Sequence, residues 1–280
     1  MLAKRLDALS FEIQESPVLY SHNGQIITSK NYKVISRSDN GEEISTMKNS
    51  YLPMYNSHFT ESTERMAEIS GFKIEGYSEL DGGRIIFSHL KNTIEDFRIG
   101  GNKIDDYLLL GSSFDGRFPF FIGTTTNFIR CQNQFSQISK VEKIRHTKSA
   151  PKRVDELLRS LEIYFQTRQT MYENFERMGN VKIDEATKQL AMDYVLQISK
   201  EDRLAGEIST RKLNQLGVLN NSVITEFNDL GQNLFGLFNG VTRYTTHELN
   251  IKERSFGNIF GTAAEINKKA YNHSLELMLS

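Results

Sequence analysis

The chain has 280 residues, 38% of them hydrophobic and 25% charged, and its 35 acidic side chains nearly balance 34 basic ones. This length and composition are typical of a soluble globular protein with a substantial core. A formal net charge of -1 excludes overall charge as a reason to bind nucleic acid or membranes. An electrostatic binding site therefore has to come from a local concentration of charge.

Cys131 is the only cysteine, which excludes an intramolecular disulfide and a cysteine-based zinc cluster. The amino terminus lacks the continuous apolar segment of a signal peptide, and no apolar run is long enough to cross a bilayer. We therefore expect a cytoplasmic protein that has no membrane partner.

The first half of the chain is predicted to form short strands joined by tight turns. Asn23-Gly24 and Asp39-Asn40-Gly41 are strong hairpin signals between segments of high β propensity. A short helix is expected over residues 61–70, ended by Gly71. The later predicted strands are Phe72–Leu80, Arg84–Lys91, Tyr107–Ser113 and Phe118–Arg130.

Hydrophobic spacing changes to a helical period near Arg153. The predicted helices are 154–178, Asp184–Ile198, a short one from Ser209 to about Gly217, Ser222–Leu237 and Asn258–Met278. These patterns predict an α+β fold, with an amino-terminal, mainly antiparallel sheet that carries one short helix and a carboxyl-terminal helical half. We place the β-sheet half at residues 1–139 and the helical half at 140–280, packed together as one compact unit.

The sequence contains no recognisable catalytic, metal-binding or nucleotide-binding motif. The six histidines are scattered, and no two of them are four residues apart, the spacing that places two metal ligands on one helical face. Gly82-Gly83 and Gly100-Gly101 fit neither a P-loop nor a dinucleotide-binding turn, and both are interpreted as turns. We expect no catalytic residues, no metal site and no cofactor.

Residues Lys140–Arg153 carry the densest positive charge, with six basic side chains among fourteen residues and one acid, Glu142. This segment is interpreted either as a solvated loop or helix start, or as a phosphate-binding segment supported by the nearby aromatic residues Phe128 and Phe135. The predicted nucleic-acid contacts are Arg130, Lys140, Lys143, Arg145, His146, Lys148, Lys152 and Arg153. If the hairpin ends gather on one edge, the basic groove would also include Arg37, Arg84, Lys91, Arg98 and Arg117.

Several motifs occur in an order that resembles a known family. They are Tyr51–Asn56, Gly82-Gly83-Arg84, Tyr107–Gly116, Thr125–Asn133, Arg145-His146-Thr147 and Phe238–His247. From about Ser36 to its end, the chain resembles the phage/plasmid-like protein family (domain of unknown function 932). One departure is Gly240, where that family usually has alanine. The resemblance implies a mobile genetic element in a bacterial cell and no established activity.

Two hypotheses follow. The first is a non-enzymatic homo-oligomer that holds single-stranded DNA at the joint between sheet and helices and serves recombination or strand annealing. The layout also resembles that of phage single-strand annealing proteins, although layout does not determine function. The second is a phage accessory or counter-defence protein that binds a host protein. A metal-dependent nuclease has no carboxylate pattern to support it.

Overall fold

The computed structural model describes residues 9–94, 97–99, 101–117, 119–128, 134–144, 154, 156, 161–249 and 261–279. Its antiparallel amino-terminal sheets and helical carboxyl-terminal half confirm the predicted α+β class. The strands are β1 (Ile13–His22), β2 (Gln25–Arg37), β3 (Glu43–Lys48), β4 (Lys73–Leu80), β5 (Ile85–Lys91), β6 (Phe97–Ile99), β7 (Asn102–Ser113), β8 (Phe120–Phe128) and β9 (Gln134–Ile144). The helices are α1 (Asn56–Ser70), α2 (Leu161–Asn180), α3 (Glu185–Leu196), α4 (Lys200–Ala205), α5 (Thr210–Leu230), α6 (Leu234–Arg243) and α7 (Thr262–Leu279), with a π-helical turn at Tyr244–Glu248.

Internal contacts divide the chain into two compact units. The first unit contains Met1–Glu95, Tyr107–Thr124 and Ile138–Tyr164. The second unit contains Asp96–Asp106, Thr125–Gln137 and Phe165–Ser280. Strand β9 runs across residues 139 and 140, where the sequence analysis divides the chain, and that division stays a prediction.

A three-stranded antiparallel sheet in the order β1-β2-β3 belongs to the first unit. Asn23 and Gly24 both have positive φ angles, 52° and 77°, which confirms the predicted two-residue hairpin turn between β1 and β2. Strand β3 pairs only with the carboxyl-terminal part of β2, so the tip of the β1–β2 hairpin extends beyond it. Ile13, Ile35 and Ile44 are buried and attach this sheet to the core of the unit.

Helix α1 begins at Asn56, five residues before the predicted start. The carboxylate of Glu12 accepts hydrogen bonds from the backbone N–H groups of Asn56 and Ser57 at 3.0 and 2.6 Å. A carboxylate at this position satisfies N–H groups that have no partner within the helix and interacts favourably with the helix dipole. The helix ends at Gly71, whose φ of 70° confirms the predicted glycine cap.

The second sheet has the strand order β4-β5-β7-β8-β9, and β6 pairs with β7. Ile99 of β6 pairs with Asn102 of β7, and Gly101 between them has a φ of 82°, so β7 begins at Asn102 and not at the predicted Tyr107. The interpretation of residues from Lys140 as a loop or helix start is wrong for 140–144, because β9 continues to Ile144. Side-chain spacing in this short segment suits a strand as well as a helix start, and pairing with β8 decides between them.

The core of the second unit contains an aromatic cluster where α2, α6 and α7 meet. The Phe175 ring lies 5.6 Å from Phe235, 5.4 Å from Phe238 and 5.9 Å from Tyr271, measured between centroids. Helix α5 continues through Gly217, where the sequence analysis wrongly ends a helix, because its buried residues farther along, such as Leu219, hold it against this core.

Gly240 of α6 and Gly217 of α5 are expected to respond in opposite ways to alanine. A Cβ added at Gly240 would lie 2.5 Å from the Cα and 2.6 Å from the Cγ2 of Val223, so the two helices would have to separate. We expect Gly240→Ala to lower the free energy of unfolding by about 1–3 kcal/mol. A Cβ added at Gly217 meets nothing within 4 Å, and Gly217→Ala should raise stability by up to about 1 kcal/mol through helix propensity.

Urea denaturation of both variants measures the difference. Equal effects of the two substitutions would contradict the close approach of α5 and α6 at Gly240. The same contact gives a physical reason for glycine where the family usually has alanine.

Candidate functional site

Most of the predicted nucleic-acid contacts lie outside the described residues. These are Arg130, Arg145, His146, Lys148, Lys152 and Arg153. Lys140 and Lys143 lie on β9, for which the structure describes the backbone. Strand β9 stands last in the strand order of the second sheet and leads directly into the rest of the basic segment. The contacts themselves stay a prediction.

Arg37, which the sequence analysis considers as part of a basic groove, is committed to internal contacts. Its guanidinium donates to Asp39 at 2.9 Å and to Glu79 at 2.8 Å, and it lies 3.8 Å above the ring centroid of Phe11. Its hydrogen bonds to Asp39 hold the pKa of that carboxyl below its usual value. Arg37 therefore supports the fold of the first unit.

Arg84 and Arg117 also form ion pairs inside the first unit. Arg84 donates from Nε to the carbonyl oxygen of Ile44 at 2.9 Å and pairs with Asp81 at 3.3 Å. Arg117 pairs with both Asp81 and Asp115, and its hydrogen bond lowers the pKa of the Asp81 carboxyl. Since neighbouring carboxylates neutralise these cations, they do not add to a positive groove.

The first and last residues of the family-like motif Tyr51–Asn56 hold the first unit together. The Tyr51 hydroxyl donates to the carbonyl oxygen of Ser113 at 2.9 Å. The Asn56 amide, which is buried, donates to the carbonyl oxygen of Phe11 at 2.6 Å. Buried polar groups with such partners stabilise a particular packing arrangement. These motif residues are therefore structural.

The late motif Phe238–His247 lies in the core of the second unit. Thr245 donates to the carbonyl oxygen of Thr242 at 3.0 Å and lies 2.8 Å from the Oδ1 of Asn267. The motif continues into the π-helical turn, which the hydrogen bond from Leu249 N–H to the Tyr244 carbonyl closes at 2.9 Å. Segments of π-helix are often found at functional sites.

A pocket of about 320 Å³ in the second unit adjoins this π-helical turn, and we call it the helical-unit pocket. Its walls come from the end of α3, the start of α5, the π-helical turn and the start of α7. The polar residues that line it include Gln197, Arg211, Gln215, Tyr244, Glu265 and Lys269. Val195, Leu196, Leu249 and Ile266 supply an apolar part of the wall.

Tyr244 is buried in the wall of the helical-unit pocket and is 2% exposed. Burial raises the pKa of its hydroxyl, and the Gln215 side chain and the charge of Arg211 act against this rise. The hydroxyl is therefore protonated at neutral pH and is a hydrogen-bond donor.

In the part of the chain that the structure describes, no group of three or more His, Cys, Asp or Glu residues is placed to hold a metal ion. None of the described helices is long and apolar enough to span a membrane.

The helical-unit pocket was not predicted from the sequence. Arg211, Tyr244 and Lys269 are far apart along the chain and match no spacing known for a binding motif. The only sequence signal was the late motif, which contains Tyr244 and to which the sequence analysis assigns no role.

Fold and sequence together define an α+β protein of a recognised family. The chain belongs to the family described as a domain of unknown function (DUF932), whose profile matches residues 43–270. This agrees with the resemblance seen in the sequence. No curated protein and no solved structure matches the chain.

Proposed function

We propose that this protein binds single-stranded DNA without enzymatic chemistry, through the basic segment Lys140–Arg153. The observation that carries the proposal is the concentration of six cations in fourteen residues, which begins on β9. Arg37, Arg84 and Arg117 are neutralised within the first unit, so they do not compete as a phosphate-binding surface. The binding energy would come from phosphate contacts and base stacking, neither of which needs a catalytic group.

The biological setting belongs to the same proposal. The protein would act as a homo-oligomer in the cytoplasm of a bacterial cell that carries a phage or another mobile element, in recombination or strand annealing. An oligomer that repeats the basic segment along a strand would raise the total affinity through multiple weak contacts.

Affinity for single-stranded DNA is expected to fall steeply with salt. Each phosphate contact contributes a slope of about 0.7 in a plot of log affinity against log salt concentration. Replacing Lys143, Arg145 and Lys148 together with glutamine should therefore flatten the slope by about 2. Gel-shift titrations with single-stranded DNA, duplex DNA and RNA at several salt concentrations measure this change.

The matched control replaces Lys30, Lys48 and Lys200 with glutamine, since all three are exposed. Two other cations of the second unit, Lys188 and Arg203, are unsuitable as control positions. Lys188 is buried beside Glu185, and Arg203 is paired with Asp193. Equal loss of affinity in both triple variants would indicate a diffuse charge effect. Absence of binding by the unaltered protein at low salt would end the DNA proposal.

One observation favours the second candidate, an accessory or counter-defence protein that binds a host protein. Leu19, Tyr20 and Ile26, near the tip of the β1–β2 hairpin, are 58%, 51% and 77% exposed. Exposed apolar groups that lie close together often mark protein contacts. The hairpin also lies outside the matched range, which begins at residue 43. Replacing Leu19 and Ile26 with serine should leave DNA affinity unchanged if the first candidate is correct, and should abolish host-protein binding if the second is.

A further inference from the structure

We propose that the helical-unit pocket binds a small phosphate monoester, of the size of a mononucleotide or a phosphorylated sugar. The pocket volume of about 320 Å³ lies near the lower end of the range for small-molecule sites. The proposal is independent of DNA binding through Lys140–Arg153, because that segment belongs to the first unit and the pocket to the second.

The cations of the pocket point to an anionic ligand. Arg211 and Lys269 line it, and neither forms a salt bridge with a described residue. Glu265 precedes Lys269 by one helical turn, a favourable arrangement for pairing, and still no salt bridge joins them. By contrast, Arg37, Arg84, Arg117 and Arg168 are all paired. Two cations that line one pocket, and that form no salt bridge with a described residue, suit a ligand with two negative charges.

The remaining polar groups fit the rest of such a ligand. Tyr244 supplies a protonated hydroxyl and Gln215 an amide, both able to donate to phosphate oxygens. Arginine suits phosphate because its planar guanidinium can donate two parallel hydrogen bonds. Glu265 would repel the phosphate, but its carboxylate is a good acceptor for sugar hydroxyl groups. Leu249 and Ile266 provide apolar surface for a sugar or base.

An unusual backbone conformation lies at the same pocket. The π-helical turn brings Tyr244 and Leu249 into the wall and joins them through its closing hydrogen bond. Such a turn costs energy relative to regular α-helix, and π-helical turns are frequent at functional sites.

Isothermal titration calorimetry of the full chain at low salt tests the proposal with defined probes. Adenosine 5′-monophosphate and ribose 5-phosphate are expected to bind with dissociation constants in about the micromolar to low-millimolar range. Adenosine and ribose, which lack the phosphate, should give no measurable heat under the same conditions.

Arg211→Gln and Lys269→Gln should each weaken binding of the phosphorylated probes about tenfold or more, because each removes a charged contact to phosphate. Lys268→Gln is the matched control, since Lys268 is exposed, next to Lys269 on α7 and not part of the pocket lining. It should bind like the unaltered protein. Tyr244→Phe keeps the buried ring and should weaken binding by a smaller factor.

Three results would overturn the proposal. One is no binding of either phosphorylated probe at millimolar concentration, and another is equal loss from Lys268→Gln and Lys269→Gln. The third is that the Arg211 and Lys269 variants lose affinity only for a single-stranded oligonucleotide, because the pocket would then serve a nucleic-acid strand. Loss of oligonucleotide binding on changing Lys143, Arg145 and Lys148, with mononucleotide binding intact, would separate this site from the proposed DNA interface.

Discussion

Replacing Arg168 with methionine is expected to lower the free energy of unfolding by about 3–5 kcal/mol. Arg168 on α2 and Asp106 on β7 form an ion pair inside the second unit, with Nε and Oδ2 2.6 Å apart. The two side chains are only 7% and 1% exposed. Removing the cation leaves a carboxylate in a place where water does not compensate its charge.

Aromatic rings surround this ion pair and add to the cost of breaking it. The Arg168 guanidinium carbon lies 4.7 Å from the ring centroid of Phe97, which stacks on Tyr172 with centroids 3.9 Å apart. Burial is the main cause that raises the pKa of the Tyr172 hydroxyl, and the negative charge of Asp106 raises it further. Loss of Arg168 would remove its cation–π contact with Phe97 as well as the ion pair.

A double variant separates the pair from the packing. Asp106→Leu together with Arg168→Met removes both charges, and we expect it to recover most of the stability that Arg168→Met loses. The control is Arg117→Met, which breaks ion pairs whose arginine is 39% exposed and should cost about 1 kcal/mol or less. Urea denaturation of the unaltered protein and of the three variants gives the four free energies of unfolding. A loss below about 1 kcal/mol for Arg168→Met would contradict the role of this pair.

Features with local causes were predictable from the sequence. Asn23-Gly24 favours a tight hairpin because both residues tolerate positive φ, and Gly71 ends α1 for the same reason. Asp184 caps α3 by accepting a hydrogen bond from the N–H of Thr187 at 2.8 Å. In each case the residues that determine the conformation are adjacent in the chain.

Features with distant causes were not predictable from the sequence. Glu12, forty-four residues away in sequence, sets the start of α1 at Asn56. Hydrophobic spacing in α3 predicts an apolar face of Ala186, Leu190, Tyr194 and Leu196. Leu196 is buried, but Leu190 and Tyr194 are 53% and 46% exposed, so the prediction is wrong at those two positions. Lys188 is buried on the same helix beside Glu185, which hydrophobic periodicity does not reveal. Packing against other helices overrides a weakly amphipathic pattern.

The same distinction applies to the candidate sites. A basic run such as Lys140–Arg153 is contiguous and therefore visible in the sequence. Arg211, Tyr244 and Lys269 become neighbours only when α5, the π-helical turn and α7 pack together. Residues of that kind carry no spacing signal, and the fold is needed to find them.

Gly111→Ala is expected to lower the free energy of unfolding by about 3 kcal/mol, at the upper end of the usual cost of overpacking. Gly111 lies on β7 directly opposite Phe87 of β5. A Cβ added at Gly111 would lie 2.2 and 2.3 Å from ring atoms of Phe121 and 2.8 Å from one of Phe87. Both rings are completely buried and contact each other edge to face, with centroids 6.2 Å apart, so neither can move freely.

This packing also explains why glycine stands inside a strand, where its flexibility costs about 0.5–1 kcal/mol relative to alanine. Gly179→Ala is the control, since a Cβ at that helical position meets nothing within 4 Å. It should leave stability unchanged or raise it by up to about 1 kcal/mol.

A double-mutant cycle with Phe121 tests the contact directly. Phe121→Leu removes the ring that the new methyl group would meet, so it should cost less stability in the Gly111→Ala background than in the unaltered protein. Urea denaturation of the four chains of this cycle gives the coupling, which we expect to exceed about 1 kcal/mol, because the two positions are in contact. Additive effects, or a Gly111→Ala chain as stable as the unaltered protein, would show that the Phe121 ring does not rest on Gly111.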